Sequence, residues 1–347
     1  MAFAAQRACA CTGPGCSSNC VQLGVPRVVT LTPAPAIDRV YFVHQVRQGQ
    51  VNRATKMIAY LAGKGINVAR TLHLAGSIVS AIVPMSREEI DAWDQREDII
   101  GVVKTVEVAH DMRTNVILVD ETGTTTNVNT EPLPLDGQEW FRLCQAALDE
   151  IQRMRADWLV LAGTLPVDSS TGSPVNVRAL FRAACALGAS VCLDTAADGS
   201  MADWGSADQP DLIKPNAAEL ASMTGLPVDT LAGVVKAATL LRERGIETIL
   251  VSLGPDGVVE VSGEGAVWAH GPTTTVVNTT GAGDAALAGY LSVPHEGHGR
   301  HIRGEPLRRA VAWGALAVQQ PTTILPRIIT NPTGIEIGIP DPAHQLT

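Results

Sequence analysis

Apolar and polar residues follow a pattern along most of the chain that is typical of strands alternating with helices. Short apolar runs at 158–161, 189–193 and 248–252 alternate with amphipathic stretches at 177–187 and 231–244. Strands and helices of these lengths, taken in turn, are typical of βα units whose strands run parallel. The pattern therefore predicts an α/β fold, a doubly wound, mostly parallel sheet with helices on both faces.

The first third of the chain departs from this alternation. A β-branched run at 27–31 ends at prolines, and a loosely alternating stretch at 39–58 predicts two extended strands that project from the main sheet. Further strands are predicted at 102–108 and 115–119, with a helix after Gly63. These extended segments predict strands in addition to those of the βα units.

Composition narrows the classes of function. The 347 residues are 46% hydrophobic and carry a formal net charge of −9. A nucleic-acid surface needs clustered Lys and Arg, so no nucleic-acid partner is expected. No uninterrupted apolar run is long enough to span a bilayer, so no membrane partner is expected either.

The first 24 residues are a separate feature, because four of the seven cysteines lie there. Cys9, Cys11, Cys16 and Cys20 do not have a familiar zinc-ligand spacing, although zinc binding stays open as an alternative. The stretch also lacks the basic and apolar regions of a signal peptide. We expect an irregular extension over residues 1–24, one α/β domain over 25–347, and a cytoplasmic location.

A glycine-rich stretch late in the chain gives the strongest chemical signal. Residues 278–286 read Asn-Thr-Thr-Gly-Ala-Gly-Asp-Ala-Ala and predict a helix whose first turn holds Asp284. A helix N-terminus offers free N–H groups and the positive end of the helix dipole, which suit an anion. Glycines let a phosphate approach the backbone, and Asp284 could take a proton from an attacking hydroxyl. The stretch indicates phosphoryl transfer, while a dinucleotide-binding turn and a glycine turn before a buried helix stay open as alternatives.

Polar residues after the first predicted strand indicate a second binding element. Asp38 lies beyond the C-terminal end of that strand, where ligands of open α/β sheets bind; a turn or capping role is the alternative. Gly63, Lys64 and Gly65 form a close-approach turn with a positive charge, and Asn67 lies one turn into the next helix. No Ser or Thr follows the lysine, so this is not a Walker A loop.

Two later stretches fit a nucleotide. Asn216 and Glu219 lie three residues apart in the first turn of a predicted helix, which suits water-bound Mg²⁺ beside phosphates. The alternative is a capping box completed by Glu219. Ser252, Gly254 and Gly257 follow a buried strand and could cradle a nucleotide or form a hairpin turn.

In their order along the chain, these motifs resemble those of the PfkB, or ribokinase-like, carbohydrate kinases. The resemblance is closest to the 1-phosphofructokinase and tagatose-6-phosphate kinase branch and runs from about Val28 to Pro326. It rests on six stretches: Thr30-Leu31-Thr32-Pro33 through Asp38, Gly63-Lys64-Gly65-Ile66-Asn67-Val68-Ala69-Arg70, Arg113-Thr114-Asn115-Val116, Ile213-Lys214-Pro215-Asn216-Ala217-Ala218-Glu219, Val251-Ser252-Leu253-Gly254, and Thr280-Gly281-Ala282-Gly283-Asp284.

The resemblance implies a doubly wound domain with a small β-sheet lid formed mainly by residues 39–60 and 102–128. Lids of two subunits often pair in this family, which implies a homodimer. It also implies roles for individual residues. Asp284 would be the catalytic base, and the backbone N–H groups that hold the transferred phosphoryl group would be those of Gly281, Ala282, Gly283 and Asp284.

The two substrates are assigned by the same resemblance. Sugar hydroxyls would be bound by Asp38, Gly63, Lys64 and Asn67. The phosphate already on the sugar would be bound by Arg113, with Arg53 or Lys64. Mg-ATP would be bound by Lys214, Asn216, Glu219, Ser252, Gly254 and Gly257, with Asn216 and Glu219 holding Mg²⁺ through water.

We therefore expect a kinase that depends on ATP and Mg²⁺ and phosphorylates a sugar phosphate. The first expectation for the acceptor is the 6-hydroxyl of fructose 1-phosphate. The alternatives are another acceptor, such as tagatose 6-phosphate or fructose 6-phosphate, and a ligand-binding regulator with this fold. Departures from the family pattern, at Ala34, Ala62 and residues 82–86, lie on the sugar side.

Overall fold

A computed structural model describes residues 24–93, 101–195, 208–294 and 304–347. Apart from Gly24, the predicted N-terminal extension and its four cysteines lie outside the described residues. Within those ranges, no helix combines the length and apolar character needed to cross a membrane.

A ten-stranded sheet forms the body of the protein, in the order β14-β13-β12-β11-β10-β9-β8-β1-β4-β5. Seven neighbouring strands, from β11 to β5, run parallel, and the last three are antiparallel. The strands are β1 (Arg27–Leu31), β4 (Ile78–Met85), β5 (Val103–Glu107), β8 (Trp158–Ala162), β9 (Ser190–Asp194), β10 (Leu212–Ile213), β11 (Thr248–Ser252), β12 (Val258–Ser262), β13 (Gly265–His270) and β14 (Glu336–Gly338).

A separate four-stranded sheet, the lid, has the order β3-β2-β6-β7. Its strands are β2 (Ala36–Val43), β3 (Ala54–Ala62), β6 (Arg113–Val119) and β7 (Thr125–Val128). The prediction that residues 102–108 contribute to the lid is wrong, because β5 pairs in parallel with β4 at the edge of the large sheet. Its residues are only partly buried, so their pattern did not distinguish a sheet edge from a lid strand.

Helices cover both faces of the large sheet, as predicted. They are α1 (Lys64–Leu74), α2 (Arg87–Trp93), α3 (Gly137–Met154), α4 (Arg178–Ala186), α5 (Ala217–Thr224), α6 (Leu231–Glu243), α7 (Ala282–Leu291) and α8 (Glu305–Ala317). Apolar residues of α1, α7 and α8 form one core cluster, and those of α3, α4, α5 and α6 form a second on the opposite face. Burying both faces stabilises strands that are apolar along their whole length.

The sheet order places a crevice at β1. The chain continues from β1 to β4 and β5 on one side and later adds β8 on the other side of β1, which makes β1 a topological switch point. Ligands of open α/β sheets bind outside the C-terminal ends of the strands at such a point. Most of the predicted site residues lie at this edge of the sheet or at the adjoining end of the second sheet, whereas Arg53 does not.

Candidate active site

The N-terminus of α7 combines N–H groups that no side chain caps with an acid in its first turn. Gly281 precedes the helix with a left-handed φ of 82°, and no side chain caps the first N–H groups. A Cβ at Gly281 would lie 2.9 Å from Thr323 Cγ2, so this close turn favours glycine. Asp284 is only 6% exposed. Uncapped N–H groups beside a buried carboxylate suit a transferred anion and a proton acceptor.

Asn67 contacts Asp284 directly. It lies in α1, which packs against α7, and its Nδ2 donates a hydrogen bond of 2.8 Å to Asp284 Oδ2. The Asn67 Oδ1 accepts a hydrogen bond of 3.1 Å from the Thr323 hydroxyl. Both hydrogen-bonding ends of the predicted sugar-binding amide are therefore used inside the protein, and the amide orients the carboxylate.

A buried ion cluster lies beside Asp284. Asp194, the last residue of β9, is 1% exposed and pairs with Lys64 Nζ at 2.9 Å and with Lys214 Nζ at 3.3 Å. The Lys214 ammonium also lies against the helix turn, since a Cβ at Gly283 would be 3.1 Å from it. Two ammonium groups thus converge where negative charge of a transferred phosphoryl group would be stabilised.

The charges around Asp284 set its protonation. Burial raises the pKa of Asp284 to about 6, and the negative charge of Asp194 adds to the rise. The hydrogen bond from Asn67 and the charges of Lys214 and Lys64 act in the opposite direction. A carboxyl group with this pKa is ionised at neutral pH and is a better proton acceptor than an exposed aspartate.

The pKa of Lys64 depends on the same neighbouring charges. Burial alone lowers its pKa, but Asp194 and, more weakly, Asp284 raise it above the ordinary value. The glycines on either side bring α1 close to the end of β1, because a Cβ at Gly63 or Gly65 would lie 2.5 Å from Thr32. The close-approach turn predicted from the sequence therefore fits the ammonium into the crevice.

The lid supplies the second carboxylate. Asp38 in β2 is 5% exposed, and its Oδ1 accepts a hydrogen bond of 2.9 Å from Asn115 Nδ2. Burial raises the pKa of Asp38, while the donors Asn115 and Tyr60 and the positive charge of Arg113 oppose this rise. Asp38 is a buried acceptor at the site end of the lid, as its predicted role requires.

Arg113 lies at the same end of the lid. Its Nη1 donates to the Thr130 carbonyl at 2.8 Å, its Nη2 donates to the Ala34 carbonyl at 3.3 Å, and its Nε is buried without a protein partner. Burial lowers the pKa of Arg113, and Asp38 counteracts this. Arg113 also lines a small pocket that is partly open to solvent, together with Ala34 and Met112.

Arg53 is not brought to this cluster. It is exposed and lies next to Ala54, at the far end of the β2–β3 hairpin from the Ala36–Ala62 pair. Eight residues of β3 separate the two ends, about 27 Å at the rise of a strand. Within this chain, Arg53 and Arg113 therefore do not share one phosphate.

The predicted nucleotide residues lie side by side at neighbouring strand ends. Lys214 follows β10 and Ser252 ends β11, where the Ser252 N–H donates to the Pro215 carbonyl. The turn Gly254–Asp256 then leads to Gly257, where a Cβ would lie 2.1 Å from the Ala269 carbonyl oxygen. Packing against β13 accounts for glycine at this last position.

Asn216 and Glu219 form a capping box at the start of α5. Asn216 Oδ1 accepts from the Glu219 N–H, and Glu219 Oε2 accepts from the Asn216 N–H, each at 2.8 Å. The alternative weighed from the sequence is therefore present in the structure. Glu219 nevertheless adds a negative charge near Lys64, and the capping box uses only one of its carboxylate oxygens.

This donor set fits a magnesium ion held through water. Among the described residues, no three or more His, Cys, Asp and Glu side chains are grouped to enclose a metal ion. Mg²⁺ usually keeps several waters and is bound by one or two carboxylates together with substrate phosphates. Glu219, with a carboxylate oxygen free of the capping box, matches that arrangement.

The sequence interpretation did not include several residues of the site. Asp194, Asn115, Tyr60 and Thr323 were not selected, although Asp194 ends a strand in the parallel sheet. A carboxylate at a C-terminal strand end was a usable signal. No sequence signal pointed to Thr323, because its partner Asn67 is 256 residues away in sequence.

Comparisons with known proteins agree with this geometry. The model of the pfkB family carbohydrate kinase matches residues 28–330. The 1-phosphofructokinase of Escherichia coli (strain K12) is 30% identical over 298 residues, covering 85% of this chain and 91% of that protein. The 1-phosphofructokinase of Vibrio cholerae serotype O1 is 32% identical over 296 residues, covering 85% of this chain and 90% of that protein.

A solved structure shows the same fold. Phosphofructokinase-2 from Escherichia coli, in complex with substrates and products, has a TM-score of 0.70 and 25% identity, covering 84% of this chain and 93% of that chain. The predictions of the fold, the family and a sugar kinase are confirmed. The chain belongs to the pfkB family of carbohydrate kinases.

Proposed function

We propose that this kinase transfers the γ-phosphoryl group of ATP to a hydroxyl of a sugar phosphate, and that its acceptor is the 6-hydroxyl of fructose 1-phosphate. The observation that carries the reaction type is Asp284, buried in the first turn of an uncapped helix, with the Lys214 ammonium against the same turn. Relatives named 1-phosphofructokinase support the acceptor.

Asp284 acts as the base in this mechanism. Its carboxylate accepts the proton of the acceptor hydroxyl as the oxygen bonds to the γ-phosphorus, and the bond from that phosphorus to the ADP oxygen breaks. The products are fructose 1,6-bisphosphate, ADP and a proton. The N–H groups of residues 281–284 and the ammonium groups of Lys64 and Lys214 stabilise the charge on the transferred phosphoryl oxygens.

The lid end of the crevice supplies the sugar site. Asp38 accepts hydrogen bonds from sugar hydroxyls, and Arg113 pairs with the phosphate already on the sugar. The guanidinium suits that role because two backbone carbonyls fix it and its buried Nε has no protein partner. Asn67 and Lys64 complete the sugar side in this proposal, with Asn67 acting chiefly through Asp284.

The strand ends of β10 and β11 supply the ATP site. Lys214, Ser252 and Gly254 line it, while Gly257 lets the loop pack closely on β13. Mg²⁺, when bound, neutralises charge on the phosphates, and Asn216 and Glu219 would hold its waters. A homodimer through the lid sheets is also part of the proposal, supported by the half-exposed Met57 on β3.

A substrate screen tests the acceptor. ADP release would be measured with fructose 1-phosphate, tagatose 6-phosphate, fructose 6-phosphate, ribose and adenosine, each with Mg-ATP. We expect the highest kcat/KM for fructose 1-phosphate. A preference for tagatose 6-phosphate or fructose 6-phosphate would correct the acceptor alone, whereas turnover of only unphosphorylated ribose or adenosine would overturn the sugar-phosphate claim.

A matched substitution tests the base. Asp284→Asn keeps the shape and the N–H donors of the turn but removes the proton acceptor, so we expect kcat to fall by about 10²-fold or more. Asp168→Asn, in an exposed loop outside the site, is the control and should keep full activity. Unchanged turnover in Asp284→Asn would show that another group is the base.

A further inference from the structure

A continuous set of buried polar side chains links the base to the lid. At the lid end, Tyr60, Asp38 and Asn115 lie directly opposite one another on the adjacent strands β3, β2 and β6. Tyr60 is 1% exposed, and its side chain lies beside the Asp38 carboxylate across the strand pair and interacts with it. This row contains one charged acceptor and two donors.

Thr323 joins this row to the active-site helix. It lies on the segment after α8 and is 8% exposed. Its backbone N–H and its hydroxyl both lie within reach of the Tyr60 oxygen, and its hydroxyl donates to Asn67 Oδ1 at 3.1 Å. Its side chain also packs against the turn that begins α7, because a Cβ at Gly281 would touch it.

The protons of this network can be assigned without conflict. On the lid side, the Thr323 N–H is available to the Tyr60 oxygen, and the Tyr60 hydroxyl is available to Asp38. The Thr323 hydroxyl donates to Asn67, whose Nδ2 donates to Asp284. Each donor hydrogen is used once, and Thr323 serves one branch with its backbone and the other with its side chain.

We propose that Thr323 and Tyr60 are positioning residues, with Thr323 orienting the Asn67 amide toward Asp284 and Tyr60 orienting Asp38 on the lid. This inference rests on the proposed role of Asp284 as the base. Neither residue touches the reacting atoms. Thr323 is the point at which the orientation of the lid and that of the base are fixed together.

The Asn67 amide needs this control because it can present either end to a carboxylate. When its Oδ1 accepts from Thr323, its Nδ2 must face Asp284 and favours the ionised carboxylate. Without the Thr323 hydroxyl, a flipped amide would place its oxygen against the carboxylate and favour the protonated acid. The protonated acid cannot accept the proton of the acceptor hydroxyl.

Thr323→Val tests the branch to the base. Valine has nearly the same shape and keeps the backbone N–H that reaches Tyr60, so the lid branch stays intact. We expect kcat to fall by about tenfold, the loss of one hydrogen bond to a charged network. The acid limb of the kcat–pH profile should move to higher pH, with KM for the sugar phosphate changed less than twofold. Thr323→Ser restores the hydroxyl and should restore both kcat and the limb.

Tyr60→Phe tests the branch to the lid. It removes the hydroxyl that reaches Asp38 but leaves the Thr323–Asn67–Asp284 branch. We expect KM for the sugar phosphate to rise by about fivefold to tenfold, the loss of one donor to a buried carboxylate, with the acid limb of kcat unmoved. Thermal unfolding of the variants identifies any that is not folded, and the rescue by Thr323→Ser separates a hydroxyl effect from a packing effect.

The outcomes separate this inference from the proposed function. If Asp284→Asn abolishes turnover while Thr323→Val keeps the wild-type kcat and acid limb, the positioning role is overturned and the base stands. If Asp284→Asn is fully active, the proposed base is overturned. Equal losses of kcat in Thr323→Val and Thr323→Ser would assign Thr323 to packing and also overturn the inference.

Discussion

The behaviour of Asp284 depends on the charges within its immediate surroundings. One carboxylate, Asp194, opposes its ionisation, and two ammonium groups, those of Lys64 and Lys214, favour it. Asp194 itself is ionised, because the two lysines outweigh its burial and hold its pKa below the usual value. Asp194 therefore stays ionised near neutral pH, whereas Asp284 gains or loses a proton at about pH 6.

The pH profile follows from this arrangement. Because the pKa of Asp284 is raised to about 6, this proposed base is mostly protonated below that pH and cannot accept a proton. We expect kcat/KM for the sugar phosphate to be level above about pH 7 and to fall about tenfold for each pH unit below 6. An exposed aspartate would keep its activity down to about pH 4.

Asp194→Asn is the control, because a sugar phosphate also titrates near pH 6. Removing the Asp194 charge lowers the pKa of Asp284, so the acid limb should move to lower pH in that variant. If the acid limb came instead from titration of the substrate, it would lie at the same pH in the wild type and in Asp194→Asn. A limb at the same pH in both proteins would contradict the assignment to Asp284.

How well residues were predicted depended on whether their partners are local. Glycines and Asp284 occupy one turn, so their chemistry could be interpreted from a nine-residue stretch. Asp194 pairs with Lys64, 130 residues earlier in the chain, and no local pattern indicates that pair. Asn67 was assigned to the sugar because its contact with Asp284 forms only when α1 and α7 pack together.

At the scale of elements, the sequence determined helix starts better than sheet membership. The capping box of Asn216 and Glu219 is local, so its geometry could be stated in advance. The position of β5 in the large sheet could not be predicted, because a half-buried strand has the same local pattern at a sheet edge and in a lid. The polar stretch at 123–127 has weak local strand signals, yet residues 125–128 form β7, because pairing with β6 compensates for them.

The turn Gly254–Asp256 is held by a later segment of the chain. Asp256 accepts hydrogen bonds from the Thr347 N–H and hydroxyl at 2.8 and 3.0 Å and contacts His344 Nε2 at 2.8 Å. Trp268 Nε1 donates to the Asp256 carbonyl at 2.7 Å. These contacts fix the loop that carries the predicted nucleotide residues Ser252 and Gly254.

Asp256→Asn should therefore destabilise the protein in a pH-dependent way. Burial disfavours ionisation of Asp256, but its bonds to Thr347 and His344 prevail and hold its pKa below the usual value. A lowered pKa stabilises the fold above the unfolded pKa of about 3.9, and the effect is lost as pH falls through the folded pKa. We expect a loss of about 1–3 kcal/mol at pH 7.

Urea unfolding of the wild type and the variant at pH 7, 5 and 3 provides the measurement. The difference in the free energy of unfolding should persist at pH 5 and shrink at pH 3. Asp341→Asn, an exposed turn residue of the same segment, is the control and should change stability by less than about 0.5 kcal/mol. Equal stability of wild type and Asp256→Asn at pH 7 would show that the segment does not hold the loop through this carboxylate.

For the whole molecule, strand and helix order was predictable, whereas the way the two sheets meet was not. The alternation of βα units implies a parallel sheet with a crevice at its C-terminal edge. The lid adds Asp38, Asn115 and Arg113 from strands that are far apart in sequence but adjacent in space. Asp284 therefore lies in a helix that packs on the large sheet, whereas Asp38 lies in a strand of the lid, and Thr323 and Tyr60 lie between them.

The outer face of the lid has an apolar row that bears on the proposed homodimer. Tyr41, Met57 and Leu118 lie opposite one another across β2, β3 and β6, and Met57 is 48% exposed. An apolar row at the centre of an exposed sheet face is suited to burial against another surface, and in the proposed homodimer the same row of a second copy covers it.

We expect light scattering to give the mass of a dimer for the wild type and of a monomer for Met57→Glu, because a carboxylate in the centre of a symmetric interface would face its own copy. Ile339→Glu is the control: its side chain is 90% exposed and follows β14, an edge strand of the large sheet that is not part of the lid, so it should leave the mass unchanged. A dimer that persists in Met57→Glu would place the contact elsewhere, and a monomeric wild type at micromolar concentration would exclude the lid-paired homodimer.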